Sequence, residues 1–193
     1  MKKTLSLIAA AAALAGAAGA ARAEAATYAI EPTHTYVTFE ISHFGTSTNR
    51  GRFDKKEGSV TIDRAAKTGK AEITIDTTSI NTGSDGFNKH LKSADLLNTE
   101  KNPTAKFVGD KFTFNGDKVA EIAGTLTLNG KTNPVVLKAQ NFNCYMSPMI
   151  KKEVCGGDFD TTIVRSQYDI KFGLDWGFPD NVHLVIQVEG IKQ

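Results

Sequence analysis

The chain has 193 residues, with 23 Lys and Arg against 21 Asp and Glu. Charge so evenly mixed, with no basic stripe, argues against nucleic acid as a partner and offers anionic lipid no polybasic patch. The length suits one domain with a proper core, and no linker divides it.

The N-terminus reads as an export signal. Lys2 and Lys3 make a basic head, Leu5 to Ala21 is an alanine-rich run without charge, and Ala21-Arg22-Ala23 offers the small residues a signal peptidase reads. A retained membrane anchor is the rival reading. It is disfavoured because the run is weakly hydrophobic and broken by Gly16 and Gly19. Cleavage after Ala23 leaves 24–193 as a single domain. Lys2, Lys3 and Arg22 go with the signal, so 20 Lys and Arg face the same 21 acids, a net charge near −1.

Tyr28 to Gly45 opens the exported domain with β patterning. From Tyr36, Val37, Phe39 and Ile41 alternate with Thr38, Glu40 and Ser42, so one face is apolar. The alternation recurs over Gly58–Asp63, Lys70–Asp76, Thr104–Val108 and Lys111–Asn115. Between them, Phe87, Leu91 and Ala94 fall at helical spacing. This predicts one amphipathic helix over Asp85–Leu97, with Asp85 as its N-cap.

Asn115-Gly116 and Asn129-Gly130 are hairpin signals, because type I′ turns need positive φ at both central residues. They bound a strand over about Val119–Leu128, answered by Pro134–Phe142. Cys144 and Cys155 share one excursion of an exported chain, so a disulfide is expected; closing a loop of about a dozen residues contributes about 2–3 kcal/mol. The spacing is not CxxC, so the bond reads as structural. Strands are expected over Thr161–Tyr168, Lys171–Trp176 and Asn181–Ile191, the last with Val182, Leu184, Ile186 and Val188 on one face.

Eight to ten short antiparallel strands have an edge problem that closure into a barrel solves. At about eight strands the interior is either filled by side chains or left open for one ligand, and both options stand at this stage. An outer-membrane barrel fits poorly, since many strands fall short of the nine to eleven residues it needs. No membrane span is expected. The catalytic search finds His34, His43, His90 and His183 scattered, with no HExxH, GxSxG or CxxC. A metal site from His34, His43 and His90 is the less favoured reading, and no metal or catalytic residue is assigned.

Four blocks in order carry a resemblance. They are Tyr28-Ala29-Ile30-Glu31-Pro32-Thr33-His34-Thr35 with His43-Phe44-Gly45; His90 to Asp95 with Asn102 to Phe107; Gly124 to Val135; and Arg165-Ser166. Together they resemble the YceI family of bacterial periplasmic proteins. The resemblance implies an all-β, lipocalin-like antiparallel barrel of about eight strands with one helix. It also implies an apolar pocket for a polyisoprenoid, either a quinone tail or a prenyl phosphate, periplasmic location, and service to a quinone-linked membrane cytochrome. No further cofactor is implied. Val164 and Gln167-Tyr168-Asp169 depart from the family pattern around the arginine.

The cavity candidates are Phe39, Ile41, Phe87, Leu91, Phe107, Leu126, Leu184 and Ile186, each equally readable as plain core. His34, His90 and Arg165 are the candidates for a head-group or rim role. Beside the carrier stand two alternatives, an enzyme acting on isoprenoid lipids and a ligand-free stress or interaction protein. An exposed edge strand leaves a homodimer open.

Overall fold

The computed structural model describes residues 25–193; the export signal expected over 1–23 lies outside them. Twelve strands follow in chain order: β1 Ala26–Ile30, β2 Tyr36–His43, β3 Ser47–Phe53, β4 Lys56–Asp63, β5 Thr68–Asp76, β6 Ile80–Asn81, β7 Thr104–Asn115, β8 Lys118–Leu128, β9 Lys131–Ala139, β10 Asn143–Met146, β11 Glu153–Val164 and β12 Asn181–Lys192. Among the described residues one α-helix, α1 Asp85–Lys92, lies between β6 and β7.

Every pairing is antiparallel, and the ring β12-β1-β4-β5-β7-β8-β9-β11 closes through eleven residue pairs between β11 and β12. This is the expected eight-strand barrel. Both β1 and β2 pair with β12, β1 at its C-terminal end and β2 at its N-terminal half, so the opening chain forms one long stave broken at residues 31–35. Beyond β2 the sheet continues through β3 to β6, and α1 follows across that flank.

The outer wall is polar. Glu40 and Arg50, opposite each other in β2 and β3, pair at 2.7 Å, and Glu72 on β5 takes Lys70 at 2.5 Å. A lipid-facing barrel wall carries an apolar band instead. Among the described residues no helix is long and apolar enough to cross a membrane.

The interior divides in two. Tyr28, Ile62, Phe107, Val119, Ile122, Phe142 and Phe159 fill one end. Val37, Phe39, Ile41, Ile75, Leu126, Leu128 and Ile163 line the other. Along β12 the apolar face passes from Val182 and Leu184 to Val188, and Ile186 touches both clusters. The alternating pattern is the same at both ends, and both carry aromatics, Phe39, Phe53 and Tyr168 among them at the open one. At that filled end the expected disulfide joins Cys144 to Cys155, which are directly opposite in β10 and β11.

Local departures from the sequence expectations have local causes. Thr104–Val108 and Lys111–Asn115 are one strand, β7, interrupted by a register shift between Gly109 and Lys111. The helix stops at Lys92, not Leu97: Ser93 takes extended backbone and Ala94 is exposed. Ser84, not Asp85, is its N-cap. Strand β11 ends at Val164 and a 3₁₀ turn covers Arg165–Tyr168, so Arg165 is not on a strand. Lys171–Trp176 is likewise no strand: Leu174–Trp176 is a 3₁₀ turn between Gly173 and Gly177, both at positive φ, which glycine adopts without a Cβ clash.

Candidate functional site

The open end of the barrel encloses a cavity of about 380 Å³, within the range of small-molecule sites. Its walls come from β2, β3, β5, β6, β7, β8, β11 and β12, where period-two alternation points every second side chain of a strand inward, as with Val37, Phe39 and Ile41 on β2. Helix α1 closes one flank with Phe87, His90 and Leu91, and the loop between β11 and β12 closes another. The lining is apolar apart from His43, His90, Asn49 and Arg165.

Of the eight cavity candidates, Phe39, Ile41, Phe87, Leu91, Leu126 and Leu184 line this space. Phe107 does not: it sits in the aromatic cluster at the filled end. Ile186 lies at the boundary of the two clusters, one turn of the alternation below Leu184. Phe107 and Ile186 share a face with cavity residues, and depth along the barrel separates them, which periodicity does not encode.

The three polar candidates part company. His34 is 64% exposed at its side chain and belongs to the Glu31-Pro32-Thr33-His34 turn between β1 and β2. There the Glu31 carboxylate accepts from the Thr33 N–H (3.0 Å) and hydroxyl (2.7 Å), the His34 N–H (2.8 Å) and the His34 Nδ1 (2.6 Å). Partial burial works against the charged Glu31, but these donors outweigh it and hold its pKa down at about 2. This most family-specific motif is therefore a turn lock, remote from the cavity.

His90 does line the cavity, edge-on to Phe172 at 5.0 Å, and Phe172 stands edge-on to Trp176 at 5.2 Å. A second group, His43, Phe44 and Phe178, makes T-shaped contacts of 5.1 to 5.8 Å. These two aromatic groups form the lip of the cavity, and Phe44 and Trp176 are also more than half exposed. Phe44, Phe172, Trp176 and Phe178 escape sequence reasoning because they sit in turns, where no period marks a face; His43 ends β2 on the inward face that Val37, Phe39 and Ile41 mark. The available signal was the density of aromatics around Gly173 and Gly177.

Arg165 lines the cavity and is only 3% exposed. Its Nε donates to the Pro179 carbonyl (2.8 Å), and Nη1 to those of Ile170 (3.0 Å) and Phe172 (2.8 Å), so the guanidinium organises the lip loop. Burial lowers its pKa, opposed by Asp180. The turn carrying it is fixed at both ends: Asp180 accepts from the Ser166 N–H and hydroxyl, while Asn129 and Asn133 donate to the carbonyls of Tyr168 and Gln167. Asn129 in turn accepts from Asn102, which ties the Asn129-Gly130 hairpin to the segment after α1.

His183 lies outside the cavity, between Glu40 and Asp160, each at 3.3 Å. Among the described residues no cluster of three or more His, Cys, Asp or Glu is arranged to hold a metal.

Residues 28–190 match the family of YceI-like domains. A UPF0312 protein of Pseudomonas aeruginosa is 38% identical over 196 residues, covering 100% of both chains. The crystal structure of a Campylobacter jejuni YceI protein is similar at a TM-score of 0.66 and 26% identity, over 79% of this chain and 90% of that one. A polyisoprenoid-binding domain from Saccharophagus degradans shares the fold at a TM-score of 0.61 and 17% identity, over 86% of this chain and 98% of that one.

Proposed function

The chain belongs to the YceI family, and from that premise we propose that it is a periplasmic carrier that shields the tail of an isoprenoid lipid in the open end of its barrel. One observation carries the reading. An eight-strand barrel interior is either filled by side chains or left open for one ligand, and this one leaves about 380 Å³ walled by aliphatic and aromatic groups.

A native core avoids such a void, because unfilled volume forfeits packing. Dry apolar space costs stability unless a ligand occupies it. Each buried CH₂-sized unit contributes about 0.8 kcal/mol, so three isoprene units, or fifteen carbons, bring about 12 kcal/mol. That is of the order of the association cost of about 4–15 kcal/mol. A single isoprene unit brings only about 4 kcal/mol, the bottom of that range, so longer tails are favoured over single units.

The Saccharophagus degradans domain, a polyisoprenoid binder of the same fold, supports the choice of ligand class. Cys144 and Cys155, joined as a disulfide, support an oxidising compartment. Native mass spectrometry and organic extraction of freshly purified protein test the reading. The expected result is a co-purifying prenyl lipid, released on unfolding. Protein that is lipid-free on isolation and takes up no added C15 or longer prenyl chain overturns it.

A further inference from the structure

The barrel wall parts where β9 meets β11. These staves are nine and twelve residues long, yet they pair only at Ala139–Phe159 and Lys138–Asp160. On their other edges β9 pairs with β8 at eight positions and β11 with β12 at eleven. Continuing the β9–β11 register would set Thr162 opposite Val136 and Ile163 opposite Val135, but no pairing forms there. Beyond the gap the two staves are tied again by the Asn133 side-chain amide, which donates to the Gln167 carbonyl at 3.0 Å. The result is a framed window of about 620 Å³, bordered by Pro134, Val135, Val136, Thr162, Ile163 and Val164. Ile163 borders the window and the cavity alike, and Val135 borders the window while packing against both apolar clusters of the interior. Two aliphatic side chains, one from each stave, thus flank the passage between the two spaces.

An opening between parted strands has room for an extended peptide or for an alkyl chain. Strand addition needs backbone donors along the edge. Pro134 has none and Lys138 puts a charge there, two devices that protect an edge from pairing. Val135, Val136, Ile163 and Val164 offer an alkyl chain apolar contact instead. Volume points the same way. At about 30 Å³ for a water-sized group, a cavity of about 380 Å³ holds on the order of a dozen carbons, so a C15 tail already fills it. Deeper in the barrel Phe107, Phe142 and Phe159 occupy the space. The excess of a longer tail has to leave sideways or turn back through the mouth.

We propose that the window between β9 and β11 is a tail-end subsite, which takes the part of a prenyl chain beyond about the third isoprene unit out of the cavity between Val135 and Ile163. The inference rests on the carrier reading and specifies the length class of the ligand, C20 or longer. The window lets one barrel hold chains of different length without enlarging its cavity, because the surplus lies across the wall and not in the packed end.

Farnesol (C15) and geranylgeraniol (C20), each carrying a diazirine at the tail end remote from the hydroxyl, are bound to delipidated protein and photolysed, and peptide mass spectrometry reads the labelled residues. The C20 probe is expected to label Val136 and Thr162, and the C15 probe only the cavity wall. Label from the C20 probe on Phe44 or Trp176 means that the excess leaves by the mouth, and this overturns the subsite while the carrier reading stands; C20 label confined to the cavity wall overturns it equally. Affinities follow from the fluorescence of Trp176, which lines the cavity and is the only Trp of the chain. The wild type is expected to hold geranylgeraniol about 10-fold or more tightly than farnesol, since each further buried carbon multiplies affinity severalfold. Val136 is 40% exposed, so Val136→Phe plugs the window from outside the core; it brings that ratio close to one and leaves farnesol binding in place. A ratio that Val136→Phe does not change overturns the subsite. Binding of neither alcohol overturns the carrier reading, and the subsite falls with it. Should Val136→Phe not fold, the photolabelling of the wild type decides.

Discussion

Phe39 on β2 stands directly opposite Gly51 on β3, and its ring fills the space where a side chain at 51 would begin: a Cβ there would meet Phe39 Cε1 at 2.6 Å and Thr82 Cγ2 at 2.7 Å. Phe39 lines the cavity, and the bare Gly51 lets its ring lie against the β3 backbone. Gly51→Ala therefore drives Phe39 toward the void. We expect a stability loss of about 1–3 kcal/mol, the usual scale of overpacking, and weaker binding of a prenyl chain. Unchanged affinity in a titration followed by Trp176 fluorescence would contradict this wall geometry.

Depth along the barrel separates two phenylalanines that periodicity treats alike. Phe107 is buried in the filled end, and its truncation to Ala is expected to lower stability by about 3–5 kcal/mol, with ligand affinity little changed in the folded fraction. Phe87 on α1 is half-buried at the cavity flank, so Phe87→Ala costs less stability and more affinity. Urea melts paired with lipid titrations of both variants measure the contrast.

Two exposed ionic contacts give opposite pH signatures. Glu31 has a folded pKa of about 2, below its unfolded value, so its contribution is present above the ordinary carboxylate range and is lost as pH falls toward 2. Glu31→Gln is expected to be about 1–2 kcal/mol less stable than wild type at pH 6, with the gap closing in acid. Melting temperatures at pH 6 and pH 2.5 check it.

For His183 desolvation favours the neutral ring, but hydrogen bonds and charge from Asp160 and Glu40 outweigh it, so the folded pKa is raised. Its stabilisation is fully present below the unfolded histidine pKa of about 6.5 and is lost as pH rises through the folded value. His183→Gln should therefore be less stable than wild type near pH 5.5 and equal to it in the alkaline range. A difference that grows with pH would refute the assignment.

The disulfide braces the filled end, remote from the cavity lip. Its reduction, or Cys144→Ser with Cys155→Ser, is expected to lower stability by about 2–3 kcal/mol for this short loop. Prenyl-lipid affinity at a temperature where the protein stays folded should not move. Loss of both together would place the bond in the binding site.

Local chemistry in the chain was enough to specify much of this protein. Alternation in Val37, Phe39 and Ile41 and in Val182, Leu184 and Ile186 marked the inward faces, Asn129-Gly130 marked a hairpin, and two cysteines in an exported chain marked a bond, because each depends on residues close in sequence or on composition. The four family blocks carried the barrel and the isoprenoid expectation with them. Tertiary structure alone decided what lies at each depth. It sent Phe107 into the filled end, brought His43 at the end of β2 and Phe172, Trp176 and Phe178 from the loop between β11 and β12 to one lip, and turned His34 into a surface lock on Glu31. Period two says which side of a strand faces in, but not whether the space opposite is occupied, since that depends on side chains tens of residues away. The same holds for Arg165, which organises the lip loop only when the carbonyls of Ile170, Phe172 and Pro179 are folded around it.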